Sequence, residues 1–193
     1  VFVDVDEYFN IDVAQVERRI GPKTRALLPV HLYGQAAQVE VLADLARRYN
    51  LHLIEDCAQA HLAERGGRRV GTFGIAGTFS FYPGKNLGAY GDAGAIVTND
   101  DDFARRCRMF ANHGALVKHD HRMEGINSRL DGLQASLLTA KLRHLDAWTT
   151  ARRLVARWYD EALAGIAAIE LPRVRAGSTH VHHLYVIRTD DRD

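Results

Sequence analysis

Apolar positions run along this chain in two alternating rhythms. Short, nearly unbroken apolar stretches at Phe2–Val5, Ala26–Val30, His52–Glu55, Thr78–Phe81, Ala95–Thr98 and Leu184–Arg188 predict strands. Between them, apolar residues recur three and four apart over Val13–Ile20, Val39–Arg48 and Asp102–Phe110, which predicts amphipathic helices. Strands alternating with helices predict an α/β layer fold. Strands apolar on both faces predict a sheet covered by helices on each side.

The rhythm changes after Asn127. From Asp131 to about Leu163 the pattern is that of a long helix, with Leu133, Leu137, Leu138, Leu142 and Leu145 on one stripe and a bend near Ala147. Long helices of this kind bridge a large domain and a smaller one. The expected division is therefore a large unit over 1–145 and a bridging helix with the start of a small domain over 146–193. Residues 165–179 read as a linker. The chain opens on a strand without a methionine and closes just after another strand, which predicts part of a longer protein.

Charge adds little to this picture, and that is informative. A net charge of +1 creates no field that would gather nucleic acid or an anionic membrane. No apolar run reaches the roughly 20 residues of a membrane span. Cys57 and Cys107 are too few and too far apart for a disulfide framework or a zinc knuckle, so a reduced, cytoplasmic setting is expected. The only lysines are Lys23, Lys85, Lys118 and Lys141.

Lys85 follows an apolar strand and a Pro83-Gly84 turn, and glycines on either side let backbone approach a flat ligand. Asp56 closes an earlier strand, where ligands of open α/β sheets bind. An amine able to form a Schiff base and a carboxylate able to hold a ring-nitrogen proton together suit pyridoxal 5'-phosphate. Each residue also has a plainer reading: Asp56 as a helix N-cap and Lys85 as a solvated loop cation. Ser80 suits either a phosphate contact or a backbone hydrogen bond, and Gln59 either the cofactor's phenolic oxygen or a loop amide bond. Glu55 should point to the opposite face from Asp56. His119, Asp120 and His121 read as a solvated loop, and His180, His182 and His183 as strand positions, rather than as metal ligands. No Walker or dinucleotide fingerprint is present.

Four motifs in order carry a resemblance to a known family. They are Pro29-Val30-His31-Leu32-Tyr33-Gly34-Gln35, then Ile54-Glu55-Asp56-Cys57-Ala58-Gln59-Ala60-His61. The third is Phe79-Ser80-Phe81-Tyr82-Pro83-Gly84-Lys85-Asn86-Leu87-Gly88, and the last Asn127-Ser128-Arg129-Leu130-Asp131. Together they resemble the pyridoxal-phosphate-dependent nucleotide-sugar aminotransferases of the DegT type, with an aspartate-aminotransferase-like type I fold. The resemblance implies a mostly parallel, mixed sheet between helices and the start of a smaller C-terminal domain. It implies Lys85 as the Schiff-base lysine, Asp56 at the pyridine nitrogen, Gln59 near the ring hydroxyl and Ser80 on the phosphate. Asn127 matches an asparagine that reaches the cofactor phosphate of a neighbouring subunit, so a homodimer with shared sites is implied. The implied reaction moves an amine from L-glutamate to a nucleotide-linked ketosugar in deoxyaminosugar biosynthesis.

The alternatives are an aminotransferase of a cyclitol or aromatic precursor, or a catalytically inactive regulatory homologue. A related dehydratase carries histidine at the Lys85 position, so lysine argues against it. Three departures stand out: Cys57 where alanine is common, Leu62 where glycine is usual, and Gly132 where an acidic residue is common. Leu62 raises a question of local backbone geometry.

Overall fold

The computed structural model describes residues 1–190. Strands β1 (Ala26–Leu27), β2 (His52–Asp56), β3 (Glu64–Arg65), β4 (Arg68–Arg69), β5 (Ala76–Ser80) and β6 (Gly94–Val97) are accompanied by five helices; helices flank β1, whereas β2 to β6 follow one another without a helix between them. The helices are α1 (Val13–Arg19), α2 (Val39–Arg48), α3 (Asp101–Ala111), α4 (Gly132–Leu142) and α5 (Leu145–Leu163). The main sheet runs in the order β1-β2-β5-β6. Its β1–β2 and β2–β5 pairs are parallel and its β5–β6 pair antiparallel, so the sheet is mixed and led by parallel pairing.

Helix α2 shows how the sequence builds this layer. Val39, Leu42, Leu45 and Ala46 lie on one helical face and are all buried, against Leu27 and Leu53 of the sheet and Val16 of α1. Each large side chain buried this way contributes about 1.5–3 kcal/mol. Arg47 and Arg48 close its last turn, where cations complement the helix dipole. Helix α3 is capped at its N-terminus by Asp100, whose carboxylate accepts the Phe103 N–H at 2.8 Å. A second cluster, including Cys57, Ala60, Ala63 and Val181, sits behind the end of β2. A third joins Leu87 and Ala89 of the loop after β5 to Leu138 and Leu145.

Three expectations differ from the structure. Phe2–Val5 is not a strand: Val1 and Phe2 are fully exposed, and only Val5 makes a single bridge, with Ile11. Leu184–Arg188 likewise forms no ladder; Arg188 makes one bridge with Glu170, and the segment is held by loop contacts instead. The expected long helix is two helices, because Arg143 and His144 leave the hydrogen-bonded track between α4 and α5. The leucine stripe is divided with it. Leu138 and Leu145 are buried, whereas Leu133 and Leu142 are exposed. The remainder of the expected second unit, 191–193, lies outside the described residues. Among those described, no helix is long and apolar enough to cross a membrane.

Candidate active site

Parallel pairing decides where the chemistry gathers. Asp56, the last residue of β2, is in register with Thr78 of β5, and Ser80 ends β5 two residues further on. Both side chains therefore sit at the carboxyl end of the sheet, where an open α/β layer leaves a crevice. Asp56 caps no helix. Its Oδ1 accepts the Ala58 N–H at 2.9 Å in a tight turn, which fixes the carboxylate's direction.

That turn delivers Gln59. Its Oε1 accepts the Tyr33 N–H at 2.6 Å, so the amide's Nε2 keeps its donor capacity. Ser80 has a similar division of labour. Its Oγ accepts the Tyr82 N–H at 3.2 Å, and its own proton remains to donate to an acceptor.

Lys85 sits on the loop that follows. Its backbone N–H closes a turn on the Tyr82 carbonyl at 2.9 Å. The loop folds back so tightly that a Cβ at Gly88 would meet the Pro83 carbonyl oxygen at 2.4 Å, so glycine is required there. Around it, Asn86 is buried, donates to the Val181 carbonyl at 3.0 Å and bonds the His183 ring at 3.2 Å. Lys85 itself is half-buried and acts electrostatically on two histidines. Burial, with the Lys85 charge adding to it, pushes both His61 and His183 down to about 4. Both rings are therefore neutral beside the lysine at neutral pH. His61 lies between Phe79 and Phe81, at ring-centre distances of 5.5 and 5.7 Å.

Asp56 and Ser80 thus end adjacent strands of one sheet, and Gln59 and Lys85 lie on the loops that follow those strands. Asn127 is not part of that group. It is exposed, accepts a hydrogen bond from Arg129 Nε at 3.2 Å, and lines a cleft of about 830 Å³ with Ile96, Cys107 and Arg108. Several supporting residues had no local signature in the sequence. Lys141 of α4 donates to the Gly88 carbonyl and lies 5.4 Å from the Tyr90 ring centre, and Gln134 accepts the Tyr90 N–H at 2.8 Å. Helix α4 therefore braces the lysine loop, a role its leucine pattern did not reveal.

A parallel-led α/β sheet whose strand ends and following loops carry an amine, a carboxylate, an amide donor and a hydroxyl has the architecture of an aminotransferase large domain. The chain belongs to the DegT/DnrJ/EryC1/StrS aminotransferase family, whose model matches residues 1–193. It is 47% identical to a dTDP-3-amino-3,4,6-trideoxy-alpha-D-glucose transaminase of Streptomyces venezuelae, over 97% of this chain and 50% of that protein. It is 49% identical to a "pleiotropic regulatory protein" of Geobacillus stearothermophilus, over 100% of this chain and 53% of the relative. Among solved structures, S. venezuelae DesV in complex with a ketimine intermediate superposes with a TM-score of 0.96 at 47% identity. That match covers 100% of this chain and 52% of DesV. The chain spans about half the length of the curated relatives it matches.

Proposed function

We propose that this chain supplies the cofactor-binding layer of a pyridoxal-phosphate-dependent aminotransferase that moves an amine from L-glutamate to a nucleotide-linked ketosugar. The observation that carries this reading is that Asp56 and Ser80 end the paired strands β2 and β5, with Gln59 and Lys85 on the loops that follow those two strands. That donor set matches a group with an aldehyde, a basic ring nitrogen, a phenolic oxygen and a phosphate. The transaminase named among its relatives supports the substrate class.

When bound, the cofactor supplies an electrophilic carbon and a protonated ring that draws electrons from the bond being broken. The protein's residues do the rest. Asp56, held by the Ala58 amide, keeps a proton on the ring nitrogen. Gln59 Nε2 donates to the phenolic oxygen, and the Ser80 hydroxyl donates to the phosphate. Lys85 would hold the cofactor through its amine and, as a free amine, would carry a proton. The neutral rings of His61 and His183 place no second cation beside that amine. Asn127, exposed and apart from this group, serves the phosphate of a partner subunit in a homodimer, and the protein works in the cytoplasm.

The test is the full-length protein with L-glutamate and a panel of dTDP- and UDP-linked ketosugars, read by product mass. The expected product carries an amine in place of the carbonyl oxygen, and Lys85→Ala abolishes it. Wild-type turnover in Lys85→Ala would overturn the lysine assignment. A protein that binds no pyridoxal phosphate would favour a regulatory role, as the name of the Geobacillus relative suggests.

A further inference from the structure

Directly behind Asp56 lies a second polar cluster that the proposed chemistry does not use. Glu55, His31 and Cys57 are all fully buried, and one potential ligand atom from each lies within 4.8 Å of the others. That grouping has the look of a metal site, but its hydrogen bonds assign it otherwise. His31 Nδ1 accepts the Ala37 N–H at 3.0 Å, so its proton is on Nε2, which meets Glu55 Oε2 at 3.1 Å. The Glu55 carboxylate also accepts the N–H groups of Gly71 at 2.7 Å, Phe73 at 2.6 Å and Gly74 at 3.0 Å. Four donors on two oxygens leave no lone pair directed at an ion.

The pKa directions agree with saturation. Burial by itself would raise Glu55, but the hydrogen bonds from His31, Gly71 and Gly74 outweigh it and hold the carboxyl below its ordinary value. Burial and the two neighbouring carboxylates push the Cys57 thiol up, away from the thiolate a metal needs.

What this cluster ties together is informative. On one side it pins the 71–74 turn, where Gly71 has φ +84 and its backbone lies so close to Gly77 that a Cβ there would meet it at 2.4 Å. On the other, through His31, it pins the 31–37 turn. In that turn Tyr33 takes a left-handed φ of +57, a strained value for a residue with a side chain. The Tyr33 N–H orients Gln59, and its carbonyl accepts the His183 N–H at 2.9 Å. The Gly34 carbonyl accepts the Val181 N–H at 2.9 Å. Val181 and His183 are the residues that hold Asn86, next to Lys85. Hydrogen bonds joined by the backbone of the 31–37 turn therefore link Glu55 through His31 to Gln59 on one side and to the residues that hold Asn86 on the other.

We infer that Glu55 and His31 form a buried positioning pair that holds the Tyr33 turn, and through it sets Gln59 and the Asn86 side of the lysine loop. The inference rests on the proposed cofactor site for its consequence in binding, but not for the coupling itself. Neither residue touches the cofactor; both act through Tyr33.

The experiment uses the full-length protein and compares Glu55→Gln and His31→Gln with Leu42→Ala. Leu42→Ala is a core truncation in α2 that lowers the melting temperature without touching the path. Two quantities are read well below each variant's melting temperature: amide exchange at Tyr33 and His183 without cofactor, and the Kd for pyridoxal phosphate. Glu55→Gln should speed exchange at both amides and raise Kd at least tenfold. His31→Gln, which keeps a donor near the Nε2 position, should fall between it and the wild type. Leu42→Ala should change neither quantity.

Unchanged exchange in both path variants would overturn the inference, as would equal acceleration in Leu42→Ala. If Glu55→Gln does not fold, His31→Gln carries the comparison alone: acceleration over Leu42→Ala supports the pair, and its absence overturns it. If the wild type binds no pyridoxal phosphate, the proposed function fails, while amide exchange still decides the coupling.

Discussion

Glu55 and Asp56 are neighbours on one strand with opposite fates. Glu55 faces inward, is fully buried, and has its oxygens taken up by three backbone amides and a histidine. Asp56 points to the opposite face, is half-buried, and spends one oxygen on a turn. The same contrast separates the two regions they belong to. Behind the sheet end, polar groups are saturated and hold backbone in place. In front of it, Gln59 and Ser80 each give one half of their hydrogen-bonding capacity to the protein and leave the other without a protein partner. Unspent donor capacity, rather than polarity as such, separates the two regions.

Exchanging charge for a neutral isostere on the two sides should break the comparison most sharply. Asp56→Asn keeps an oxygen for the Ala58 amide, so the folded protein should be stable to within about 1 kcal/mol. Turnover should nevertheless fall by about 10²–10⁴, because an amide cannot hold the ring-nitrogen proton. The check is the rate at saturating cofactor alongside a melting curve; an unchanged rate would reduce Asp56 to a turn residue. Glu55→Leu should do the reverse. It leaves three amides and His31 without their partner in the interior, costing about 3–5 kcal/mol in denaturant unfolding. A loss below 1 kcal/mol would mean that the network is not structural.

Acid should sharpen the contrast next. His61, His180 and His183 have folded values of about 4, 3 and 4, against 6.5 in the unfolded chain, chiefly because of burial. Below pH 6.5 the unfolded state takes up protons that the folded state does not, so stability should fall as pH drops from 6.5 towards 4. Glu55 acts in a lower window. Its folded value is depressed, so its contribution is present above 4.5 and lost as pH falls through that lower value. Urea midpoints at pH 7.5, 6 and 5 test the histidine window; a flat profile would contradict it. Glu55→Leu should leave that slope in place.

The smallest effect concerns Leu62, which has a left-handed φ of +68, as suspected from its place where glycine is usual. Glycine would relieve about 1 kcal/mol of backbone strain but forfeit packing against two core clusters. Leu62→Gly should therefore change unfolding free energy by less than about 1 kcal/mol. A larger change of either sign would show that one of the two effects has been misjudged.

The sequence made some of this legible because some of the causes are local. Val39–Arg48 is a helix over the expected range, since its apolar spacing meets a sheet that covers it. Phe2–Val5 has the composition of a strand, but a strand needs a ladder partner, and Phe2 has none among the described residues. The β3–β4 hairpin has no apolar signature in the sequence because Glu64–Arg69 is polar. Its Gly66-Gly67 tip, with φ of +57 and +76, was the available signal. At the site, Lys85, Asp56, Gln59 and Ser80 stand in readable motifs. His31–Glu55 spans 24 residues and Asn86–His183 spans 97, so neither pairing has a local pattern to betray it.

The central claim is that Lys85 is the residue that anchors the cofactor. Full-length protein loaded with pyridoxal phosphate, reduced with borohydride, digested and mapped by mass, tests it directly. The phosphopyridoxyl group should be found on the peptide containing Lys85 and be absent from Lys85→Ala. Label on Lys23, Lys118 or Lys141, or on no lysine, would contradict the account.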